Sequence, residues 1–199
     1  MAVRSGRDHS ATVALALIDR HVSSVGEYFE IKRVIHRYLT ERCARVAALT
    51  VNALDDPQAT AEQGLYLTVT GLSAEMGDDG QVGCGNRVNG LITPGRPMSL
   101  EAAAGKNPVG HVGKIYNVLA NVIAQQVCDD IAEVVEASVQ LVSRIGQPLG
   151  QPWMAVVEVT PVYRLTKSIR ARIEAIVTAR LGAVDGLVKQ LIDNDIKVY

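Results

Sequence analysis

Seven side chains able to handle charge lie close together in a glycine-rich stretch: Asp78, Asp79, Arg87, Arg96, Lys106, His111 and Lys114. Ten of the chain's seventeen glycines fall between Gly71 and Gly113. Ordering so glycine-rich a segment costs conformational entropy that its few side chains recover poorly. Glycines interleaved with cations and carboxylates suit a backbone that must approach a phosphorylated ligand closely. The alternative is a long disordered surface loop. The apolar anchors Val88, Leu91, Ile92, Met98 and Leu100 argue against it.

Two familiar nucleotide motifs are absent. Gly105-Lys106 is followed by Asn107, and Leu100 stands where a phosphate-binding P-loop has its first glycine. Gly83-Cys84-Gly85 runs into Asn86, Arg87 and Val88, which breaks the dinucleotide fingerprint. The remaining candidates have individual rationales. Lys106 and Lys114 bracket the start of a helix expected near Pro108, whose first-turn amides and positive dipole end add to their charge. His111 either contacts phosphate or holds the loop. Arg87 and Arg96 are candidate phosphate forks. Asp78 and Asp79 are candidate ligands of Mg²⁺, which favours one or two carboxylates plus phosphates; adjacent loop aspartates are also common turn formers.

The elements that must position these groups read as follows. The first nine residues, MAVRSGRDH, are polar and expected to fray, so that a flexible N-terminus (1–10) precedes the folded remainder (11–199), which has the length of one large domain or two small ones. Alternation predicts a strand from Ala11 to Val22. Ser24 is an N-cap candidate for a helix bearing Tyr28, Ile31, Ile35, Tyr38 and Leu39. Further strands are predicted over Val46–Leu54 and Leu65–Thr70. Beyond the glycines, Ile115, Val118, Leu119, Val122, Ile123 and Val127 recur at helical spacing. Strands over Ser138–Arg144 and Met154–Thr160, joined by IGQPLGQP, precede a helix capped by Thr166. The mixture lacks regular βαβ alternation, which predicts an α+β fold with mixed or antiparallel sheets and helices on one face.

Composition frames this reading. Hydrophobic residues make up 48% of the 199 residues and aromatics only 4%, so aliphatic side chains must fill the core. A formal net charge of −1 argues against a nucleic-acid partner bound by bulk electrostatics. Three cysteines without C-x-x-C spacing fit a reducing cytosol. No apolar run approaches the roughly 20 residues of a membrane span, and a soluble cytoplasmic protein without a membrane partner is expected.

The segments GDDGQVGCGNRVNGLITP and RPMSLEAAAGKNPVGHVGKIYNVLAN resemble the signature of the archaeal-type S-adenosylmethionine synthetases (methionine adenosyltransferases). Weaker similarity runs through TVALALIDRHV, LYLTVTG and VSRIGQPLGQP to the C-terminus. The resemblance implies that family's layered α+β fold, with flat sheet faces packed against another subunit. It implies ATP and methionine as substrates, Mg²⁺ with K⁺ as a further candidate, and release of phosphate and diphosphate. Lys106, in GKNP, is then a polyphosphate ligand, with Lys114 and His111 beside it as catalytic candidates. Asp78 would hold the methionine amino group, and Asp79, Arg87, Arg96 and Asn107 would bind substrate.

Departures from the family pattern matter. Cys84 stands where an arginine is usual, and Gly110 replaces an asparagine. Cysteine supplies neither the charge nor the paired donors of a guanidinium. The family's N-terminal half carries a Gly-His-Pro-Asp motif, and His9, His21 and His36 have other neighbours here. The resemblance therefore covers the C-terminal half only. It implies a divided enzyme in a hetero-oligomer whose partner chain supplies the other half. The alternatives are a regulatory subunit binding nucleotide or S-adenosylmethionine without catalysis, and a standalone polyphosphatase.

Overall fold

The computed structural model describes residues 1–72, 87–92, 94–96, 99 and 103–198. The chain divides into two compact units, Met1–Gly77 and Asp78–Tyr199. Their described residues carry four α-helices with mixed and antiparallel sheets, an α+β fold.

The first unit opens on an antiparallel hairpin, β1 (Ala2–Ser5) and β2 (Asp8–Val13), joined by the two residues Gly6 and Arg7. The expected frayed end is thus paired backbone: the terminal amine also donates to the Thr12 carbonyl at 2.8 Å. The strand expected over Ala11–Val22 stops at Val13. It resumes only as β3 (Leu17–Ile18), and a single 3₁₀ turn follows at Asp19–His21. Helix α1 (Val25–Arg42) begins as predicted, with the Ser24 hydroxyl accepting from the Glu27 amide at 3.1 Å. Glu27 reaches back to the Ser23 amide at 2.7 Å, which completes a reciprocal cap.

Strand β4 (Val46–Val51) lies parallel to β2, giving a three-stranded sheet of order β1-β2-β4. It ends three residues early because Asn52 takes a left-handed conformation (φ 44°). The expected strand Leu65–Thr70 shortens to β5 (Leu67–Thr68), parallel to β3. Its ends are diverted. The Tyr66 amide donates to the Tyr28 hydroxyl and to Asp55 Oδ1, each at 3.2 Å, and the Gly71 amide donates to Thr68 Oγ1 at 2.9 Å. Side chains therefore take amides that longer pairing would need.

The second unit is built on α2 (Val112–Asp130), which packs against β6 (Val134–Val142) and against α3 (Lys167–Gly182) and α4 (Val184–Ile192). Strand β6 starts four residues before its predicted position and pairs antiparallel with β7 (Met154–Pro161). Ile115, Val118, Leu119, Ile123 and Val127 of α2 are buried, joined by Ile169 and Ile173 of α3 and by Val184 and Leu187 of α4. Thr166 caps α3, its hydroxyl accepting from the Ile169 amide at 3.2 Å. The β6–β7 connection is tied down at two points. Tyr116 donates its hydroxyl to the Leu149 carbonyl at 2.9 Å. A Cβ on Gly150 would stand only 2.9 Å from the Leu181 carbonyl oxygen, so this approach requires glycine.

Candidate functional site

The segment Gly105–His111 leads into α2 as a series of local turns. Gly105 has φ 74°, a conformation that favours glycine. Asn107 Oδ1 accepts from the Val109 amide at 2.8 Å, and the His111 amide donates to the Asn107 carbonyl at 3.3 Å. These turns postpone the helix, which begins at Val112 rather than near Pro108. His111 is its N-cap, with Nδ1 3.4 Å from the Lys114 amide. Of the two roles open to His111, this contact serves the one that holds the loop. Lys114 consequently sits within the first helical turn.

Lys106 is only 4% exposed, so it is not a solvated surface lysine. Burying an ammonium is costly unless something compensates its charge. Burial lowers the pKa of the Lys114 ammonium from its ordinary value, and the nearby charge of Lys106 lowers it further. The two lysines thus lie within electrostatic reach of each other, beside the start of an α-helix whose dipole has the same sign. Two positive charges near a helix N-terminus suit an anion with several negative oxygens.

Arg87 starts a tight turn in which its amide donates to the Leu91 carbonyl at 2.9 Å. It borders two clefts. The larger, about 570 Å³, lies between α2 and β6, with Tyr116, Asn117, Asn121 and Ser138 on its walls; neither Lys106 nor Lys114 lines it. The smaller, about 310 Å³, brings Arg87 together with Arg96, Glu136 and Glu158. Arg96 forms an ion pair with Glu136 there. The structure therefore yields a lysine pair, Lys106 and Lys114, and an arginine pair, Arg87 and Arg96, in the same unit. Asp78, Asp79 and Cys84 lie outside the described residues. A Cβ at Gly110, where the family has asparagine, would meet no atom within 4 Å.

Sequence reasoning did not nominate Tyr116 or Asn117. Burial raises the pKa of the Tyr116 phenol, and Asn117 donates to the Gly113 carbonyl at 2.7 Å. Asn117 and Asn121, four residues apart and off the apolar stripe of α2, were the available signal. Among the described residues no three His, Cys, Asp or Glu side chains gather into a metal-binding group. Nor is any helix among them long and apolar enough to cross a membrane.

Comparison with known proteins bears directly on the lysine-bearing unit. The S-adenosylmethionine synthetase (AdoMet synthetase) family pattern matches residues 1–195. The chain belongs to that family. S-adenosylmethionine synthases from Pyrobaculum aerophilum and Aeropyrum pernix are 42% and 44% identical to it, over its full length. A probable S-adenosylmethionine synthase from Aquifex aeolicus is 45% identical, again over the full length. The chain spans about half (50%) of each relative's own length. The lysine pair and both clefts therefore belong to an AdoMet synthetase fold of which this chain is one portion.

Proposed function

We propose that the chain is one subunit of a divided methionine adenosyltransferase, making S-adenosylmethionine from ATP and methionine with a partner that carries the complementary half. The observation that carries this reading is the buried Lys106, set beside Lys114 at the start of α2. In the reaction the methionine sulfur attacks C5′ of ATP. An S–C bond forms as the C5′–O bond breaks, and triphosphate leaves with the bonding electrons. A thioether sulfur carries no proton, so this step needs no general base. It needs in-line positioning and stabilisation of negative charge on the departing chain.

Lys106 and Lys114 supply that stabilisation, and they are held in place before the charge arrives. Arg87 extends the cationic surface toward the cleft between α2 and β6. Asp78 would neutralise the methionine ammonium. Magnesium, with K⁺ as a possible second ion, would neutralise phosphate charge. Its carboxylate candidates Asp78 and Asp79 lie outside the described residues, and the described ones offer no fitting ligand group, so no step is assigned to it. Hydrolysis of the triphosphate to phosphate and diphosphate would draw on the same lysines. A cytosolic setting accords with this chemistry.

The test is reconstitution. The chain alone, given ATP, methionine and Mg²⁺, should make no S-adenosylmethionine, and adding the complementary half should restore synthesis. Robust turnover by the chain by itself would refute the divided-enzyme reading. In the assembled enzyme, Lys106→Ala should cost roughly 10²–10³ in turnover while changing methionine binding little. Near-normal turnover would remove Lys106 from the reaction.

The ion pair between Arg96 and Glu136 favours a second reading, a regulatory subunit that binds nucleotide or S-adenosylmethionine, because it commits one candidate phosphate fork elsewhere. Cys84→Arg separates the two. Tighter tripolyphosphate binding by calorimetry, with the partner present, supports the catalytic subunit; no gain supports the regulatory one.

A further inference from the structure

The bonds that set the start of α2 include one that leaves the helix. Tyr116, two residues beyond Lys114, is 7% exposed and donates its hydroxyl to the Leu149 carbonyl, 33 residues away in sequence. Leu149 belongs to the connection between β6 and β7, which is ordered by turns of its own. The Gln147 amide donates to the Arg144 carbonyl at 3.1 Å, and the Gln151 amide to the Pro148 carbonyl at 2.9 Å. The Arg144 guanidinium lies over the Trp153 ring, 5.2 Å from its centroid. The Trp153 amide donates to the Val142 carbonyl at 2.7 Å and closes the base of the connection. On its other side the backbone at Gly150 passes so near the Leu181 carbonyl oxygen of α3 that no Cβ would fit. Leu149 and Leu181 both pack against the core of the unit. Tyr116 is thus bonded to a braced backbone rather than to a yielding loop.

Local bonds cannot do what this one does. His111 Nδ1, 3.4 Å from the Lys114 amide, and Asn117, which donates to the Gly113 carbonyl at 2.7 Å, shape the first turn but would rotate with it. Residues two apart on an α-helix point about 200° apart around its axis. An anchor at Tyr116 on one side of α2 consequently sets the direction of Lys114 on the other. We propose that Tyr116 is a positioning residue for the transfer reaction: through its bond to Leu149 it holds the Lys114 ammonium where it meets the departing triphosphate. The inference deepens the divided-enzyme reading and rests on it. Charge stabilisation weakens steeply when the donor is misplaced, and a shift of about 1 Å can cost about 10²-fold in rate. The lowered pKa of Lys114, caused first by burial and then by the charge of Lys106, reports the same placement. A Lys114 that swung outward would regain water and titrate nearer its ordinary value.

Two measurements test this, the first without turnover. In the full chain, labelled at the lysine side-chain carbons, an NMR titration follows the Lys114 ammonium. Tyr116→Phe keeps the ring and removes only the hydroxyl, and it should move that pKa upward, toward its ordinary value. Gly150→Ala, which pushes the connection off the Leu181 carbonyl, should move it the same way. An unmoved Lys114 pKa in either variant would overturn the proposal, since a tyrosine placed for packing alone would cost only stability. The second measurement uses the enzyme assembled with the part of the Aeropyrum pernix synthase outside the matched region. There Tyr116→Phe should lower kcat about tenfold or more while changing the KM for methionine little. In a Lys114→Ala background the same change should cost less than about threefold, because the group it acts through is gone. Fully additive losses would refute the proposal, as would near-normal turnover of Lys114→Ala. A mixture that makes no S-adenosylmethionine refutes the divided-enzyme reading instead, and the lysine titration then decides by itself whether Tyr116 places Lys114.

Discussion

Helices α1 and α2 are 18 and 19 residues long, and both are capped at their N-termini by a side chain. Helix α2 buries six residues and organises the core of its unit. Helix α1 buries one, and that one is a tyrosine whose hydroxyl lies in a polar network. Asn52 donates to the Tyr28 hydroxyl at 2.7 Å, and that hydroxyl donates to Asp55 Oδ2 at 2.9 Å. Lys32 donates to the same carboxylate oxygen at 2.7 Å. One unit is therefore held by apolar packing, which tolerates small shifts. The other is held by hydrogen bonds, which specify geometry and fail sharply when a partner is lost. The first kind of centre stands without help. The second leaves apolar side chains such as Val34 and Tyr38 exposed on α1.

The largest stability effect should come from the packed centre. Ile123→Ala, at a fully buried site, should cost about 2–5 kcal/mol, whereas Ile35→Ala on α1 should cost well under half as much. Urea melts of both variants read the contrast, and equal losses would break it. Gly150→Ala should cost about 1–3 kcal/mol, since its Cβ meets backbone at 2.9 Å and cannot be relieved by a side-chain rotation. A thermal shift near zero would show that the loop is free to move.

Tyr28→Phe should cost about 1–3 kcal/mol by stranding Asn52 and Asp55. Its pH signature is distinctive. Burial, with Asp55 contributing, raises the phenol's pKa to about 12 from its ordinary value of 10. Between those values the folded state holds a proton that the unfolded state has released. This contribution is complete below pH 10 and lost as pH rises toward 12. Wild type should lose stability more steeply than Tyr28→Phe across that window in denaturant melts, and parallel slopes would contradict the network. The smallest effect concerns the lysine pair. If an anion restores Lys114's lowered pKa, tripolyphosphate binding should take up protons and weaken as pH rises through the Lys114 transition. Calorimetry of the assembled enzyme in two buffers of different ionisation enthalpy measures the uptake. A zero difference would place Lys114 away from the ligand.

How much of this was legible in the sequence varied with the kind of signal. Caps at Ser24 and Thr166 and the stripe from Ile115 to Val127 were found, because caps and helical periodicity are local properties of the chain. Strand lengths were not. LYLTVT has the composition of a six-residue strand, yet Tyr28 and Asp55, distant in sequence, take the amide that would have extended it. The helix start was misplaced by four residues because Asn107 turns the chain upon itself.

The charged candidates of the site could be nominated from sequence alone: lysines and arginines interspersed with glycines in one stretch, and a similarity that identifies the family. Tertiary structure decided which of them are buried and which approach one another. The pairing of Arg96 with Glu136 depends on a contact between segments far apart in the chain, whereas Lys106 and Lys114, whose charges interact, are near neighbours in sequence. Burial depth likewise could not be read from α1's pattern. Periodicity shows which side of a helix is apolar, but only the neighbouring elements determine whether anything covers it.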